Sequence, residues 1–428
     1  MKRIYLLAGE RSGDVHGAGL IAALRELRPD LQLAGAGGPR MREAAGGCAG
    51  EFQDWVEQAG VTGLWEVLKR YRWFRQRFDE HLDRIDQWRP DLVVLIDYPG
   101  FNLRLARQLR RRHPDLILVY YIAPQVWAWK KGRVHGMARD LDRMICIFPF
   151  EQPLFEQAGL ATVFSGHPLV DALRATGSMR APDPPGTAAG AGSPAAGSAP
   201  AGAPAQGRQS DLVGLFPGSR SNEIERLGPV LVAAAVRLAA AKPGLRFAFS
   251  AASEPLAERL RGWLEREPSL RGHWRVEVGR EAAHELMRRA GAGAVASGTA
   301  TLEAAALGLP HVLVYRVNWF TYLLARLVVR IRHLGIVNVI AGRTVVTELI
   351  QHRCRGGEVA ERIGRLLDDE GLRGRWLAEI GGVLDRLAGD PREPAYRTAA
   401  RAVLGEPALF RAGAPGPGRT ASTENRME

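Results

Sequence analysis

Two short turns in the second half of the chain carry residue types suited to gripping an anion. The apolar run 212–216 leads into Pro217-Gly218-Ser219-Arg220-Ser221-Asn222-Glu223, and Ala294-Val295-Ala296 leads into Ser297-Gly298-Thr299-Ala300-Thr301-Leu302-Glu303. Each turn opens a helix-like run, so each offers free backbone N–H groups with small residues that let an anion come close. Two such cradles suit a nucleoside diphosphate. In the first, Gly218 and Ser219 sit beside Arg220, an always-charged guanidinium suited to bidentate pairing with phosphate. In the second, Ser297, Gly298, Thr299 and Thr301 would bind phosphate oxygens, while Glu303, one turn in, accepts from ribose hydroxyls. Taken singly, the same residues have plainer uses: Thr299 as a helix cap, Glu303 as a first-turn carboxylate worth roughly 0.3–1 kcal/mol, and Arg220 as a solvated loop arginine.

The first half holds the groups that could move a proton. Asp97 ends the run Leu92-Val93-Val94-Leu95-Ile96 and precedes Tyr98-Pro99-Gly100-Phe101-Asn102. An acid at the carboxyl end of a buried strand, partly desolvated, has its pKa raised toward that of a general base; a turn-initiating residue before proline is the alternative. Ser12 and Asp14, in Ala8-Gly9-Glu10-Arg11-Ser12-Gly13-Asp14, could line the acceptor side of a cleft or cap a helix. That stretch lacks the Gly-x-Gly-x-x-Gly spacing, which disfavours hydride transfer. Trp127 and Trp129 could meet a sugar or acyl chain, or simply pack domains, and His167 could be a ligand or a hinge residue. Histidines and carboxylates are not paired in a way that suggests a metal, so no metal cofactor is expected.

Positioning these groups requires strands that end beside one another. Apolar runs at 4–8, 92–96, 116–122 and 144–148 alternate with helix-like runs at 13–27, 103–112 and 131–141, and strand-like runs recur at 213–216, 246–250, 274–278, 293–296 and 311–315. Short apolar strands between helices indicate α/β architecture with parallel sheets covered on both faces. Two Rossmann-like domains facing across a cleft follow, with ligands at the carboxyl ends of the strands. Residues 1–177 form the first domain and 211–410 the second, whose last helices can pack back on the first. Between them 178–210 is nearly all Ala, Gly, Pro and Ser, too poor in apolar surface to order itself, and 411–428 is a similar tail.

With 428 residues, 46% hydrophobic and 24% charged, the chain has ample core for two domains. Its net charge of +12 favours anionic partners, while the lack of zinc-knuckle or ribonucleoprotein motifs argues against nucleic acid. Three scattered cysteines, Cys48, Cys146 and Cys354, indicate reduced thiols rather than a disulfide framework. The apolar run at 4–8 is too short for a signal peptide, and charges interrupt every longer one, so no transmembrane helix is expected. The stretches 61–78 and 319–332 mix aromatics with arginines. They could lie in a bilayer interface, with Trp65, Trp73 and Phe74 as acyl or membrane contacts, or pack as ordinary amphipathic helices.

Together the motifs resemble the lipid-A-disaccharide synthase family, inverting glycosyltransferases of GT-B architecture in Gram-negative outer-membrane biosynthesis. Ala8-Gly9-Glu10, Gly38-Pro39-Arg40-Met41, Asp97-Tyr98-Pro99-Gly100-Phe101-Asn102, Val126-Trp127-Ala128-Trp129, Phe148-Pro149-Phe150-Glu151, Gly166-His167-Pro168, Pro217-Gly218-Ser219-Arg220, Ser297-Gly298-Thr299 and Asn338-Val339-Ile340-Ala341-Gly342-Arg343 occur in family order. The resemblance implies UDP-2,3-diacylglucosamine as donor, 2,3-diacylglucosamine 1-phosphate as acceptor, and a β-1,6-linked disaccharide with UDP as products. It implies Asp97 as the base, Ser12 as an active-site serine, and Arg220, Glu303, Asn338 and Gln351 in the nucleotide and donor site. Peripheral binding to the anionic cytoplasmic face of the inner membrane, and a homodimer, are compatible with it. Gly100 stands where some members have a second acid, so Asp97 must act alone; Thr347 stands where others often have proline. Competing readings are another GT-B enzyme acting on a UDP-amino sugar, such as an epimerase or the transferase of peptidoglycan lipid intermediates, and a nonenzymatic basic binder of nucleic acid or membrane.

Overall fold

The computed structural model describes residues 1–46, 51–59, 71–129, 132–175, 208–319, 322 and 332–410. The chain divides into two compact units, one of Met1–Pro168 with Leu387–Glu428 and one of Leu169–Arg386. The first break falls at Pro168 where the sequence reading divides at 177, and the last helices, which that reading lets pack back, belong to the first unit. The helix Ala395–Leu404 explains the return to the first unit: its Ala399, Ala400, Ala402 and Val403 are buried beside Ile4, Leu20 and Ile21. Tyr396 Oη also meets His16 Nδ1 at 3.1 Å, and His167 N–H donates to Leu387 O at 2.9 Å.

The first unit is built on a parallel seven-stranded sheet in the order β3-β2-β1-β4-β5-β6-β7. Its strands are β1 (Arg3–Ala8), β2 (Gln32–Gly37), β3 (Phe52–Asp54), β4 (Leu92–Ile96), β5 (Ile117–Tyr121), β6 (Arg143–Cys146) and β7 (Ala161–Phe164). Alternation sends Ile4, Leu6, Leu92 and Val94 to one face, and Tyr5, Leu7, Val93 and Leu95 to the other; both sets are buried. That is why these strands read as continuous apolar runs, since helices cover both faces. Asp14, inside the helix Arg11–Leu27, accepts from the N–H groups of Gly38, Arg40 and Met41 at 2.8, 3.2 and 3.0 Å. It therefore caps the helix Pro39–Ala45 from outside and is not a cleft residue.

The second unit carries a parallel six-stranded sheet in the order β10-β9-β8-β11-β12-β13. Its strands are β8 (Gln209–Phe216), β9 (Arg246–Ala251), β10 (Trp274–Val278), β11 (Ala290–Ala296), β12 (His311–Tyr315) and β13 (Glu348–Ile350). In both sheets the strand order reverses at a central pair, β1 with β4 and β8 with β11. Such a reversal sends the following connections to opposite faces and leaves a crevice at the carboxyl ends of that pair, where ligands bind in open α/β sheets.

Candidate active site

Asp97 follows β4 at the first of these reversals, and Gly9 to Ser12 follow β1 beside it, since Ala8 pairs with Ile96. The backbone at Asp97 and Tyr98 is left-handed, with φ of 46° and 52°, and Ile122 at the end of β5 has φ of 68°. Non-glycine residues hold such a conformation only where surrounding contacts impose it, and these cluster at one sheet edge. The contacts are visible: Asp97 O accepts from Tyr120 Oη at 2.6 Å and from Asn102 Nδ2 at 2.8 Å, and Asp97 N–H donates to Tyr121 O at 2.9 Å. The Tyr98 ring lies so close to Gly9 that any Cβ there would overlap it. With its main chain pinned on both sides, the Asp97 carboxyl keeps a fixed aim. Burial, with the nearby Glu10 charge, pushes its pKa up to about 6, against a smaller opposing pull from the Tyr98 N–H. Ser12 is exposed in the first turn of the helix Arg11–Leu27, on the neighbouring strand end.

Both cradles sit at the second reversal, where Phe216 pairs with Val295. Gly298 and Thr299 are exposed and Ser297 half-buried, and Gly298 takes a φ of 152° with open space where a Cβ would stand. A ligand can thus approach bare backbone. Thr301 does not share this availability: it is buried, and its hydroxyl donates to Gly298 O at 2.7 Å, closing the turn. Glu303 is likewise engaged, with Arg280 Nη2 at 2.7 Å and His284 Nε2 at 3.3 Å. Burial pushes the Glu303 carboxyl up, but the hydrogen bond from His284 and the Arg280 charge outweigh it, and its pKa falls below the ordinary value. In the first cradle the N–H groups of Ser219 and Arg220 donate to Glu223 Oε2 at 2.9 and 3.2 Å, so the helix's own third residue satisfies them. Among the described residues the exposed Arg220 guanidinium is held by a 3.4 Å contact to Glu223 Oε1.

Asn338 and Gln351 stand behind the loops. Asn338 is wholly buried; its Nδ2 donates to Val346 O and Glu348 Oε1 at 2.8 and 2.7 Å, and its Oδ1 accepts from Val345 and Val346 N–H at 2.7 and 2.8 Å. Its amide is therefore filled by the chain itself. Gln351, left-handed at φ of 50°, exchanges both amide hydrogen bonds with Val317, at 2.7 and 3.0 Å. Both residues shape the site without offering it a free polar group. Sequence reasoning missed a cavity of about 530 Å³ lined by Arg226 on the helix Ser221–Ala241 and by Arg316, Asn318 and Trp319 after β12. Its one visible signal was Trp319 among arginines.

Trp73 and Phe74 lie on the helix Tyr71–Trp88 and are only half-exposed, packing against the core; Trp73 stacks on Trp55 at 6.0 Å between centroids. Tyr71 and Trp319 are the strongly exposed aromatics among the described residues, at 55% and 61%. Trp65, most of 178–210, the tail, and most of 319–332 lie outside those residues. Among the described residues no helix is long and apolar enough to cross a membrane, and no group of three His, Cys, Asp or Glu side chains converges on a metal-sized site.

A family model described as lipid-A-disaccharide synthetase matches residues 4–181 and 206–371. Lipid-A-disaccharide synthases of Trichlorobacter lovleyi and Geobacter sulfurreducens are each 39% identical, over 388 and 396 residues, covering 91% and 90% of this chain and 94% and 93% of theirs. Lipid-A-disaccharide synthase 1 of Legionella pneumophila is 33% identical over 386 residues, 90% of this chain and 93% of its own. Among solved structures, UDP-GlcNAc 2-epimerase from Neisseria meningitidis bound to UDP-GlcNAc matches with a TM-score of 0.56 at 12% identity, covering 94% of this chain and 98% of that one. A glycosyltransferase from Rickettsia africae matches at 0.51 and 11% identity, covering 94% and 99%. At such identity these likenesses show the fold alone, two Rossmann-like domains of the GT-B class.

Proposed function

The chain belongs to the lipid-A-disaccharide synthetase family, and from that premise we propose that it joins UDP-2,3-diacylglucosamine to 2,3-diacylglucosamine 1-phosphate with Asp97 as the base. It is a glycosyltransferase of lipid A biosynthesis. Asp97 takes the proton of the acceptor 6-hydroxyl as that oxygen attacks the donor anomeric carbon from the face opposite UDP, inverting it. The C1–O bond breaks, and the electron pair leaves with the diphosphate. The N–H groups around Gly298 and Thr299, with the Arg220 guanidinium, stabilise the charge that gathers there; one such donor can be worth roughly 2.7–4 kcal/mol. Glu303 belongs to this set through Arg280 and His284, and Asn338 and Gln351 through the loops they hold. The carrying observation is the strained, pinned backbone that presents Asp97 at the β1/β4 reversal.

Acylated substrates must be met at a lipid surface. We assign that contact to the exposed aromatics and arginines, Tyr71 and Trp319 with the flanking basic residues, on the anionic cytoplasmic face of the inner membrane. Incubating the protein with the two acylated sugars and weighing the product tests the function. A disaccharide 1-phosphate formed with stoichiometric UDP supports it, whereas turnover of soluble UDP-N-acetylglucosamine without an acylated acceptor contradicts it.

A further inference from the structure

Phe148-Pro149-Phe150-Glu151 follows β6 at the same sheet edge as Asp97, and nothing in the proposed reaction uses Glu151. Its side chain is 0% exposed, yet among the described residues neither carboxyl oxygen has a hydrogen-bond partner. The Trp127 indole N–H and the Phe148 backbone N–H act on it, but the indole nitrogen is itself without a partner among those residues. Glu151 opens the helix Glu151–Glu156, which packs on β6, β7 and the helix Arg133–Asp140. Those elements bring Cys146, Arg143, Arg133, His135, Arg139 and Asp140, with Glu156 on its own helix. Of these, Arg143 turns away to Val403 O at 2.9 Å and Arg139 pairs with Asp140 at 3.0 Å. Burial is the main cause that pushes the Glu151 carboxyl up, and the negative charge of Asp97, two strands away in the sheet, adds a smaller part.

A buried carboxylate without a hydrogen-bond partner is too costly to persist, and a negative charge two strands away adds to the cost; the group keeps its proton. We propose that Glu151 is a positioning residue for the Asp97 base: it rests neutral, so that its carboxyl adds no further negative charge to the one Glu10 already brings to this sheet edge beside Asp97. The two carboxyls are then one coupled pair, the first proton leaving Asp97 and the second leaving Glu151 only at higher pH. The inference rests on Asp97 as base.

Thermal unfolding of the full chain against pH tests it, with wild type, E151Q, D97N and the double variant. A carboxyl that stays protonated on folding contributes stability that is present below the ordinary glutamate range and lost as pH rises toward its folded value. E151Q, which cannot ionise, is therefore expected to match wild type near about pH 5 and to exceed it by a few degrees per pH unit above that. In the D97N background the gap is expected to stop growing at a lower pH, and so to be smaller at the alkaline end, because the neighbouring charge is gone. The plateau of kcat/KM above the Asp97 value is expected to persist to higher pH in E151Q than in wild type, where ionisation of Glu151 ends it. A gap that does not change with pH, or that is equal in the two backgrounds, overturns the proposal. If E151Q does not fold, E151M, equally unable to ionise, carries the same expectation. Turnover by D97N would remove Asp97 as base while the stability gap still reports the coupled pair, so the two failures are distinguishable.

Discussion

In the proposed mechanism a single aspartate carries the proton chemistry, and its environment sets the pH at which it would work. Burial and the Glu10 charge raise Asp97 to about 6. A base must be ionised to act, so kcat/KM is expected to fall about tenfold per pH unit below that value and to level off above it. The pH–rate profile checks this; a flat profile down to about pH 5 would show that no group tuned in this way limits the reaction. Asp97 was legible in the sequence because an acid closing an apolar strand is conspicuous. Its left-handed backbone was not, because the grip of Tyr120 and Asn102 comes from neighbouring elements. Thr301, whose hydroxyl suggested a phosphate contact, and Asn338, which the resemblance implied in the donor site, both spend their polar groups within the chain, on closing a turn and holding a loop.

The loops that shape the donor site depend on elements whose stability can be challenged directly. Asn338→Ala removes four hydrogen bonds at a wholly buried position and strands the N–H groups of Val345 and Val346. It is expected to destabilise the second unit by about 2–4 kcal/mol, read from denaturant unfolding, and to weaken UDP binding through the disordered loop. Unaltered stability would show that the loop holds itself. Strands with continuous apolar runs, such as β4 and β12, were plain in the sequence. Four were not: β2, β3, β7 and β13. β2 reads Gln-Leu-Ala-Gly-Ala-Gly, whose small residues have poor intrinsic strand preference and are held by pairing with β1 and β3. β3 and β13 have only three residues each, too few for any periodicity to show. The last helices fold back on the first unit because of a buried alanine face that composition alone cannot assign to either core.

At the scale of the whole molecule, a net charge of +12 and the proposed acylated substrates predict an interface enzyme whose membrane affinity is electrostatic. Sedimentation with anionic liposomes is expected to weaken as salt rises, and to weaken further in a Tyr71→Ser, Trp319→Ser variant; indifference to both would remove the membrane assignment. The division of labour between units makes a second expectation. The proposal places UDP on the second unit, so UDP should raise the unfolding temperature of the wild type, by about 2.7 kcal/mol of stabilisation at one hundred times Kd, and a purely basic binder would show no such effect. The most direct test combines both units: UDP release from the two acylated sugars by Asp97→Asn protein, with the UDP-induced thermal shift measured on the same sample. The account predicts a loss of turnover of about 10²–10⁴-fold with the shift unchanged. Near wild-type turnover by the folded variant would contradict it.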